Sequence, residues 1–536
     1  MNIRSTIAIF LMLGFVSAPV VAQEEKDQLE VLHQSMLNLI KQLTKKGVLT
    51  QEAADKLILD AEESAAGSVA AQSAVPAVAA QSAVPATNVP VVEPAMPGVV
   101  RVPYIPESVR AEMKEEIKQE VLAQARGERW GDPGALPGWL SRISWDGDFR
   151  LRYQHDGFPT GNVTPAQYNP AGNPNGGLTL IPNTTESHDY TRVLARLGMK
   201  AIVSDNTIVV LRMGTGNANG VSTGNQTMGS DFNNYTMLLN RAFVQSAPYG
   251  WLDINAGKMP NPWLGTDMLW DGNINFEGVA AKIKPRISNE LSGFLTVGAF
   301  PYQSVQGSDT NLANTKWLFG TQMSAAWMEQ DSSSARFGVA LYDFQNVEGT
   351  SNTTLGSHFY DQTAVQNMQK GNSLMQVSAV GESTTIYGLA SKFKELNITT
   401  KLDSAAFDPI HVLFTGDYVR NVGFNQQEIF QRTGRIIQPR INGYQAILTV
   451  GVPSIKQRGE WQASVAYKYL ESDAVLDALN DQDFHLGGTN AKGFVIGGSY
   501  GVDNNTWLTL RWISSNQIDG PPLAIDSLQF DLNTRF

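Results

Sequence analysis

The sequence contains one motif whose residue types and spacing match a hydrolase. Residues 497–501 read GGSYG and fit the G-x-S-x-G pattern, in which the serine attacks an acyl carbon. That serine works on a sharp turn between a strand and a helix, with a histidine partner, whereas Ser499 lies in an alternating strand pattern. The six histidines are scattered, and cysteine is absent. We therefore expect no catalytic residue, no zinc site and no enzyme activity.

A second group of polar residues has an oxygen spacing that resembles a calcium-binding loop. Asp271, Asn273, Asn275 and Glu277 alternate along the chain, but Phe276 stands where an EF-hand requires glycine. The EF-hand interpretation therefore fails, and we expect no resident metal ion or other cofactor. Calcium bound to outer loops is the alternative that stays open.

The remaining candidates are charged residues that alternate with apolar ones. In residues 143–155, ISWDGDFRLRYQH, the character of the side chain changes at almost every position, so a strand here has one apolar and one charged face. If the apolar face meets lipid, the charged face lines an aqueous lumen. The predicted lining cations are Arg150, Arg152, Arg192, Arg196, Lys200, Arg212, Lys282, Lys284 and Arg336. Acids of comparable parity are fewer, namely Asp146, Asp148 and Asp417, which favours a mild preference for anions unless these charges pair across strands.

Strand pairs of this kind recur to the end of the chain. A short polar turn joins the two runs of each pair, and longer loops rich in Gly, Asn, Ser and Thr separate the pairs. One opening strand, seven turn-linked pairs and one closing strand predict about sixteen antiparallel strands over residues 142–536. Short turns at one end and long loops at the other are typical of transmembrane β-barrels, whose backbone groups all pair within the wall. A secreted soluble β protein is the alternative to an outer-membrane barrel.

The composition excludes other classes of protein. Of the 536 residues 42% are hydrophobic, the mean hydropathy is −0.19, and no stretch beyond the N-terminus approaches the roughly 20 apolar residues of a spanning helix. The formal net charge of −11 argues against nucleic-acid binding, which normally requires a basic face.

The first 141 residues predict a different organisation. Residues 1–22 have the features of a secretory signal peptide, with cleavage between Ala22 and Gln23. Residues 23–63 show an a/d pattern that predicts a helical hairpin or short coiled coil. An Ala/Pro-rich linker follows at 64–106, and residues 107–141 predict a helix and a Gly/Pro turn. We expect this extension in the periplasm, where it would hold protomers together or contact the cell wall or another envelope protein.

Four segments together resemble the putative porin family of Gram-negative bacteria. They are residues 128–153, 257–278, 483–494 and 518–536, which include GKMPNPW, DFHLGGTNAKGF and IDGPPLAIDSLQFDLNTRF. The resemblance implies a β-barrel surrounded by outer-membrane lipid that passes small solutes by diffusion, and the predicted lining makes small polar or anionic solutes the expected partners. The resemblance also implies that Phe536 is part of the signal read by the barrel-assembly machinery. Whether the barrel works alone or as the homotrimer common among general porins stays open.

The resemblance also draws attention to the third outer loop, residues 260–272. Related sixteen-stranded porins fold this loop inward and narrow the channel. Here it carries Asp267 and Asp271, which would then face the arginine-bearing wall. Its shortness leaves open that it only caps the rim.

Tryptophan positions favour interface girdles over an aromatic track through the lumen. Trp145 and Trp461 have lipid-facing parity, and Trp251 and Trp263 flank a predicted strand.

Taken together, these features of the sequence predict an outer-membrane porin for passive diffusion of small hydrophilic solutes. The alternative is a structural anchor whose N-terminal helices tether the envelope.

Overall fold

The computed structural model of the protein describes residues 142–169, 181–216, 224–328 and 333–536. The segments predicted for residues 1–141 lie outside the described residues, and so does the cleavage site at Ala22 and Gln23.

Sixteen long strands form one antiparallel wall, which confirms the number predicted from the sequence. In chain order they are β1 (Ile143–Gly157), β2 (His188–Ser204), β3 (Thr207–Thr215), β4 (Met237–Tyr249), β5 (Leu252–Pro260), β6 (Asn275–Ile283), β7 (Leu291–Gln303), β8 (Lys316–Met328), β9 (Ser334–Gln345), β10 (Phe393–Phe407), β11 (Ile410–Asn421), β12 (Asn442–Gly451), β13 (Trp461–Leu470), β14 (Ala491–Asp503), β15 (Thr506–Gln517) and β16 (Ala524–Arg535). Shorter elements lie between them: strands Gln226–Thr227, Leu374–Gln376 and Tyr387–Leu389, and helices α1 (Pro165–Tyr168) and α2 (Gln426–Thr433).

The wall closes on itself because β1 pairs with both β2 and β16. Leu151 of β1 lies opposite Val193 on one side and Leu532 on the other. Every other long strand pairs with its neighbours in the chain, so the barrel has no free edge.

The predicted alternation separates the two faces of the wall. On β1, Trp145 and Leu151 are exposed, whereas Arg152 and Gln154 are each only 1% exposed. Exposed apolar side chains continue around the outside of the barrel, for example Phe337 on β9 and Phe530 on β16. A wall with an apolar outside and a polar inside follows directly from the two-residue period of the strand.

Connections differ in length at the two ends of the barrel. Turns of two residues, at 205–206, 250–251, 408–409 and 504–505, join strands at one end. Connections at the other end are longer; the two longest are residues 158–187 and 346–392, and others, such as 471–490, have about 20 residues. The turn predicted around residues 331–333 lies mostly outside the described residues.

Long-loop segments supply much of the hydrophobic core, which lies inside the barrel. Its largest cluster joins Trp263, Met268 and Trp270 of loop 261–274 to Tyr342 on β9 and Leu476 of loop 471–490. Burial of these apolar side chains holds the loops against the inner wall.

Over the described residues, no helix has the length and apolar character needed to cross a membrane.

Candidate functional site

The nine lining cations predicted from the sequence share the inward parity of the wall. Arg150 and Arg152 alternate with the exposed Phe149 and Leu151, and Arg336 precedes the exposed Phe337. The other six are Arg192, Arg196, Lys200, Arg212, Lys282 and Lys284, of which Lys284 directly follows β6. Their role in conduction stays a prediction.

Six arginines lie on the inner side of β1 to β4, namely Arg150, Arg152, Arg192, Arg196, Arg212 and Arg241. Across the strand register, Arg152 lies opposite Arg192, Arg150 opposite Leu194, and Arg212 opposite Arg241. Sequence reasoning missed Arg241, because strict alternation from the exposed Leu239 turns that residue outward. A β-bulge between Arg212 and Met213 leaves Asn240 without a register partner on β3, so both Asn240 and Arg241 contact lumen groups.

Few acids neutralise this part of the wall. Asp148 receives two hydrogen bonds from Arg196, with a shortest N–O distance of 2.7 Å. Asp146 lies beside Gly198 of β2, which is itself opposite Arg212 of β3, and Asp146 makes no ion pair with another described residue. Arg152 is paired with Asp483 and Asp531, and the other five arginines against the three inward aspartates of β1, Asp146, Asp148 and Asp156, leave the wall basic.

Loop 261–274 crosses the interior to reach the opposite wall. Its Leu264 amide donates to Gln322 of β8 at 2.7 Å, and the Thr266 hydroxyl donates to Asp417 of β11. The carboxylate of Asp267 accepts from Lys468 of β13 at 3.2 Å. Because these partners lie on strands far around the barrel, the loop lies within the lumen and does not merely cap its rim.

Aromatic packing fixes this loop. The ring of Trp263 lies 5.3 Å from that of Tyr342, and the ring of Trp270 lies 5.1 Å from the same tyrosine, both edge-on. Trp263 is only 7% exposed, so its assignment to an interface girdle was wrong. The reason is that the loop turns inward directly after β5 and carries the indole with it. Trp145, Trp251 and Trp461 are exposed.

A second inward segment, residues 471–490 between β13 and β14, was not predicted. Two main-chain hydrogen bonds join it to the first loop: Asp271 donates to the carbonyl of Leu479 at 2.8 Å, and Asp481 donates to that of Asp267 at 2.9 Å. The Asp481 carboxylate accepts from Lys468 at 2.8 Å. The feature of the sequence that could have indicated this segment is its four aspartates within residues 473–483, which are interspersed with apolar residues.

The same segment is clamped to the wall by a four-residue ion network. Asp483 accepts from Arg152 of β1 at 2.9 Å and from Arg511 of β15. Arg152 also donates to Asp531 of β16 at 2.7 Å. One predicted lining cation, Arg152, therefore serves as an anchor for a loop and is fully neutralised.

Burial and neighbouring charges shift the pKa values of the loop carboxyls in opposite directions. Burial raises the pKa of Asp271 to about 6, of Asp473 to about 6 and of Asp477 to about 7. Burial would also raise the pKa of Asp483, but the adjacent Arg152 and Arg511 guanidiniums hold it well below its usual range. Of the two predicted constriction acids, Asp271 is thus held partly neutral near pH 6, and Asp267 is paired with Lys468.

Two cavities lie at opposite ends of the barrel. One of about 450 Å³ lies at the long-loop end and is lined by Asp156, Tyr190 and Lys370, among others. Another of about 510 Å³ lies toward the short turns and is lined by Lys282 and Arg336. Both contain charged and apolar lining residues, and loop 261–274 contributes to the second.

Phe536 closes the seam between the last strand and the first. Its backbone amide and carbonyl both hydrogen bond to Gly147, at 3.0 and 2.9 Å. The phenyl ring lies over Gly147, where any side chain would overlap it.

The residues that resemble a hydrolase motif and a calcium-binding loop in the sequence have ordinary hydrogen-bond partners in the structure. The Ser499 hydroxyl lies within β14 and is 2.8 Å from the hydroxyl of Thr509. The Asp271 carboxylate accepts hydrogen bonds from Asn273 and Gln482. Within the described ranges, no group of three acidic, histidine or cysteine residues is placed to hold a metal ion.

Comparison with solved structures finds barrels of low sequence identity. The outer membrane channel DcaP of Acinetobacter baumannii is 11% identical, with 74% of this chain and 97% of that chain covered and a TM-score of 0.37. OprB of Pseudomonas putida, in its high-pH structure, is 12% identical over 74% and 95%, with a TM-score of 0.43. An anion-selective porin from Comamonas acidovorans is 9% identical over 74% and 99%, with a TM-score of 0.37.

No curated protein matches the sequence. The sequence model of a family described as putative porin matches residues 33–536, which is nearly the whole chain and includes the complete barrel. The chain therefore belongs to the putative porin family.

Proposed function

We propose that the protein is an outer-membrane porin that passes small hydrophilic solutes by passive diffusion and prefers anions. The observation that carries the proposal is the basic inner wall of β1 to β4, where five arginines, besides the paired Arg152, face three aspartates. Fixed charges that line a narrow aqueous path determine which ions enter it easily.

The acids of the inward loops cancel only part of this basic character. Asp483 is paired with Arg152 and Arg511, so of the wall arginines only Arg152 is neutralised by an ion pair with these loops. Asp267 and Asp481 are both paired with Lys468, away from the arginine wall. An anion near the arginine wall is therefore attracted at distances up to about 8 Å, the screening length at physiological salt.

The two end cavities would be the two mouths of a route past the loops. Lys282 and Arg336 line the cavity near the short turns, so cations would line the path below loop 261–274 as well as beside it. The narrowest part of this route would lie between that loop and the arginines of β1 to β4, with Asp267 and Asp271 on the loop side.

The remaining parts of the proposal concern assembly and the N-terminal region. Residues 1–22 would be removed on export, and residues 23–63, 64–106 and 107–141 would form a periplasmic helical region, linker and helix. Phe536 would be read by the barrel-assembly machinery, and its exposed ring at the seam is compatible with an accessible signal. A trimer would be the functional unit in the outer membrane.

The test is single-channel conductance in a planar bilayer, with the reversal potential measured under a salt gradient. We expect stable steps and a reversal potential displaced toward the chloride equilibrium value. Arg150→Gln should move the reversal potential toward the cation side, whereas Arg458→Gln, in the exposed turn 452–460, should not. Cation preference in the unmodified protein would contradict the arginine-based selectivity.

A second candidate function is a structural tether in which the barrel is mainly an anchor. The observation that favours it is the filled interior, because loops 261–274 and 471–490 pack together with aromatic side chains between the walls. Removal of residues 23–106 separates the two functions. A porin keeps its conductance after this deletion, whereas a tether shows no conductance in either form and loses co-sedimentation with cell-wall material.

A further inference from the structure

Three arginines of the lumen are held by asparagine side chains in place of carboxylates. Arg212 donates through Nε to Asn240 at 2.8 Å, and Arg241 donates through Nε to Asn275 at 2.7 Å. Arg150 donates through Nη2 to Asn225 at 2.5 Å. An amide oxygen orients a guanidinium as a carboxylate does, but it carries no charge. The positive charge of each arginine is thus fixed in position and left uncompensated by its partner.

Two of these arginines face each other directly. The bulge at Asn240 brings Arg241 into register with Arg212 on the neighbouring strand. Like charges at such a position destabilise a sheet, because the two Cβ atoms are separated by only about 5 Å. The nearest acids do not relieve this repulsion by contact: Asp148 is bound to Arg196, and Asp146 makes no ion pair with either arginine.

The terminal nitrogens of the pair are available. Both arginines use Nε for the asparagine, and within the described ranges their Nη atoms have no hydrogen-bond partner. Two neighbouring guanidiniums that present their Nη edges match an oxyanion with several oxygens, which each fork binds through two parallel hydrogen bonds. A ligand with two negative charges cancels both positive charges, whereas chloride cancels only one and offers no directional acceptor.

We propose that Arg212 and Arg241, each oriented by an asparagine, form a binding site for small oxyanions that carry two or more negative charges. This inference rests on the proposed porin function and adds a substrate class to it. It implies that such anions bind while they pass, so they compete with chloride in a saturable way.

The test uses inorganic sulfate as the probe and methyl sulfate, which has one charge, as the matched anion. At constant ionic strength, sulfate should reduce the single-channel chloride current to a plateau, and methyl sulfate should have little effect. The double variant Asn240→Asp/Asn275→Asp keeps side-chain size and supplies a carboxylate to each arginine. It should weaken the sulfate block roughly tenfold or more, since each added carboxylate compensates the positive charge that attracts the ligand.

Asn255→Asp is the control for an added negative charge. Asn255 lies on the neighbouring β5 opposite Gln245 and Ala280, away from the arginine pair. This control should alter ion selectivity but keep the sulfate block. Arg241→Gln, compared with Lys282→Gln, provides the corresponding control for a lost positive charge.

A second measurement does not depend on conduction. Sulfate that binds the folded barrel should raise its thermal unfolding temperature in detergent by mass action, and more so in the unmodified protein than in the double aspartate variant. The comparison between variants removes the general stabilising effect of sulfate on proteins.

The outcomes separate this inference from the porin proposal. An anion-selective channel without a saturable sulfate block, or with an equal block in the double aspartate variant, overturns only the oxyanion site. A cation-selective channel contradicts the proposed selectivity. With a non-conducting barrel, an equal sulfate effect on both unfolding temperatures would overturn the site, and a difference between them would support it.

Discussion

Asp483→Asn tests whether the ion network holds loop 471–490 inside the barrel. The carboxylate bridges Arg152 and Arg511, and Arg152 is only 1% exposed. Removal of one partner from a buried pair costs about 3–5 kcal/mol, because the other charge stays buried without compensation. Arg152 keeps its second partner, Asp531, at 2.7 Å, so the lower figure of about 3 kcal/mol applies.

Such a loss shifts the equilibrium between the docked and undocked loop by roughly a hundredfold, since about 1.4 kcal/mol corresponds to a factor of ten. The assay is hydrogen exchange in detergent, read at the amide of Thr489, which donates to the carbonyl of Lys370 at 2.9 Å. This amide should exchange up to about a hundredfold faster in Asp483→Asn than in the unmodified protein. The same variant should also add brief openings to the single-channel trace.

The matched control is Asp189→Asn, which removes a carboxylate from an exposed pair with His155. An exposed pair contributes little, so exchange at Thr489 should not change. The network should also resist acid. The pKa of Asp483 lies well below its usual range, so its stabilisation persists at pH 5 and is lost only as the pH falls through that low value. Unchanged exchange in Asp483→Asn would refute the clamp.

Three further predictions concern packing, pH and the seam. Trp270→Ala should cost about 3–5 kcal/mol of unfolding free energy and enlarge the conductance, as measured by thermal unfolding and single-channel recording, because the ring fills the interior. The pKa of Asp477 is raised to about 7 by burial, so the native state binds more protons than the unfolded state between roughly pH 4 and 7 and stability falls as the pH rises. Thermal unfolding between pH 5 and 8 should therefore have a flatter profile in Asp477→Asn, and an equal slope would contradict this. Gly147→Ala should lower the unfolding temperature, because its Cβ would overlap the C-terminal phenyl ring, whereas Gly498→Ala, whose Cβ would meet the Gln462 carbonyl at an ordinary contact distance of 3.7 Å, should have a smaller effect.

The wall of the barrel was predictable because each strand and turn is determined by residues that are close together in the sequence. The two-residue period places Trp145 and Leu151 on one face and Arg150 and Arg152 on the other, whatever the rest of the chain does. Turn residues such as those at 504–505 then set where each strand ends. The two-residue period and the turn residues were together sufficient to predict sixteen strands.

The interior was not predictable, because its contacts are long-range and have no period. The indole of Trp263 gave the same sequence signal as a girdle tryptophan, yet it packs against Tyr342, 79 positions later in the chain. Asp483 pairs with Arg152, which is 331 positions earlier. Arg241 was missed for a different reason, since a single bulge residue reverses the parity of the strand after it.

The two inward loops are joined to each other through main-chain atoms, from Asp271 to Leu479 and from Asp481 to Asp267. A hydrogen bond between backbone groups does not depend on which side chains those residues carry. Mutation can therefore replace the charges and rings that project from the loops without separating the loops themselves. Relatives could diverge in the solutes they admit while they keep one loop arrangement, and the same separation makes the lumen a good scaffold for engineered nanopores.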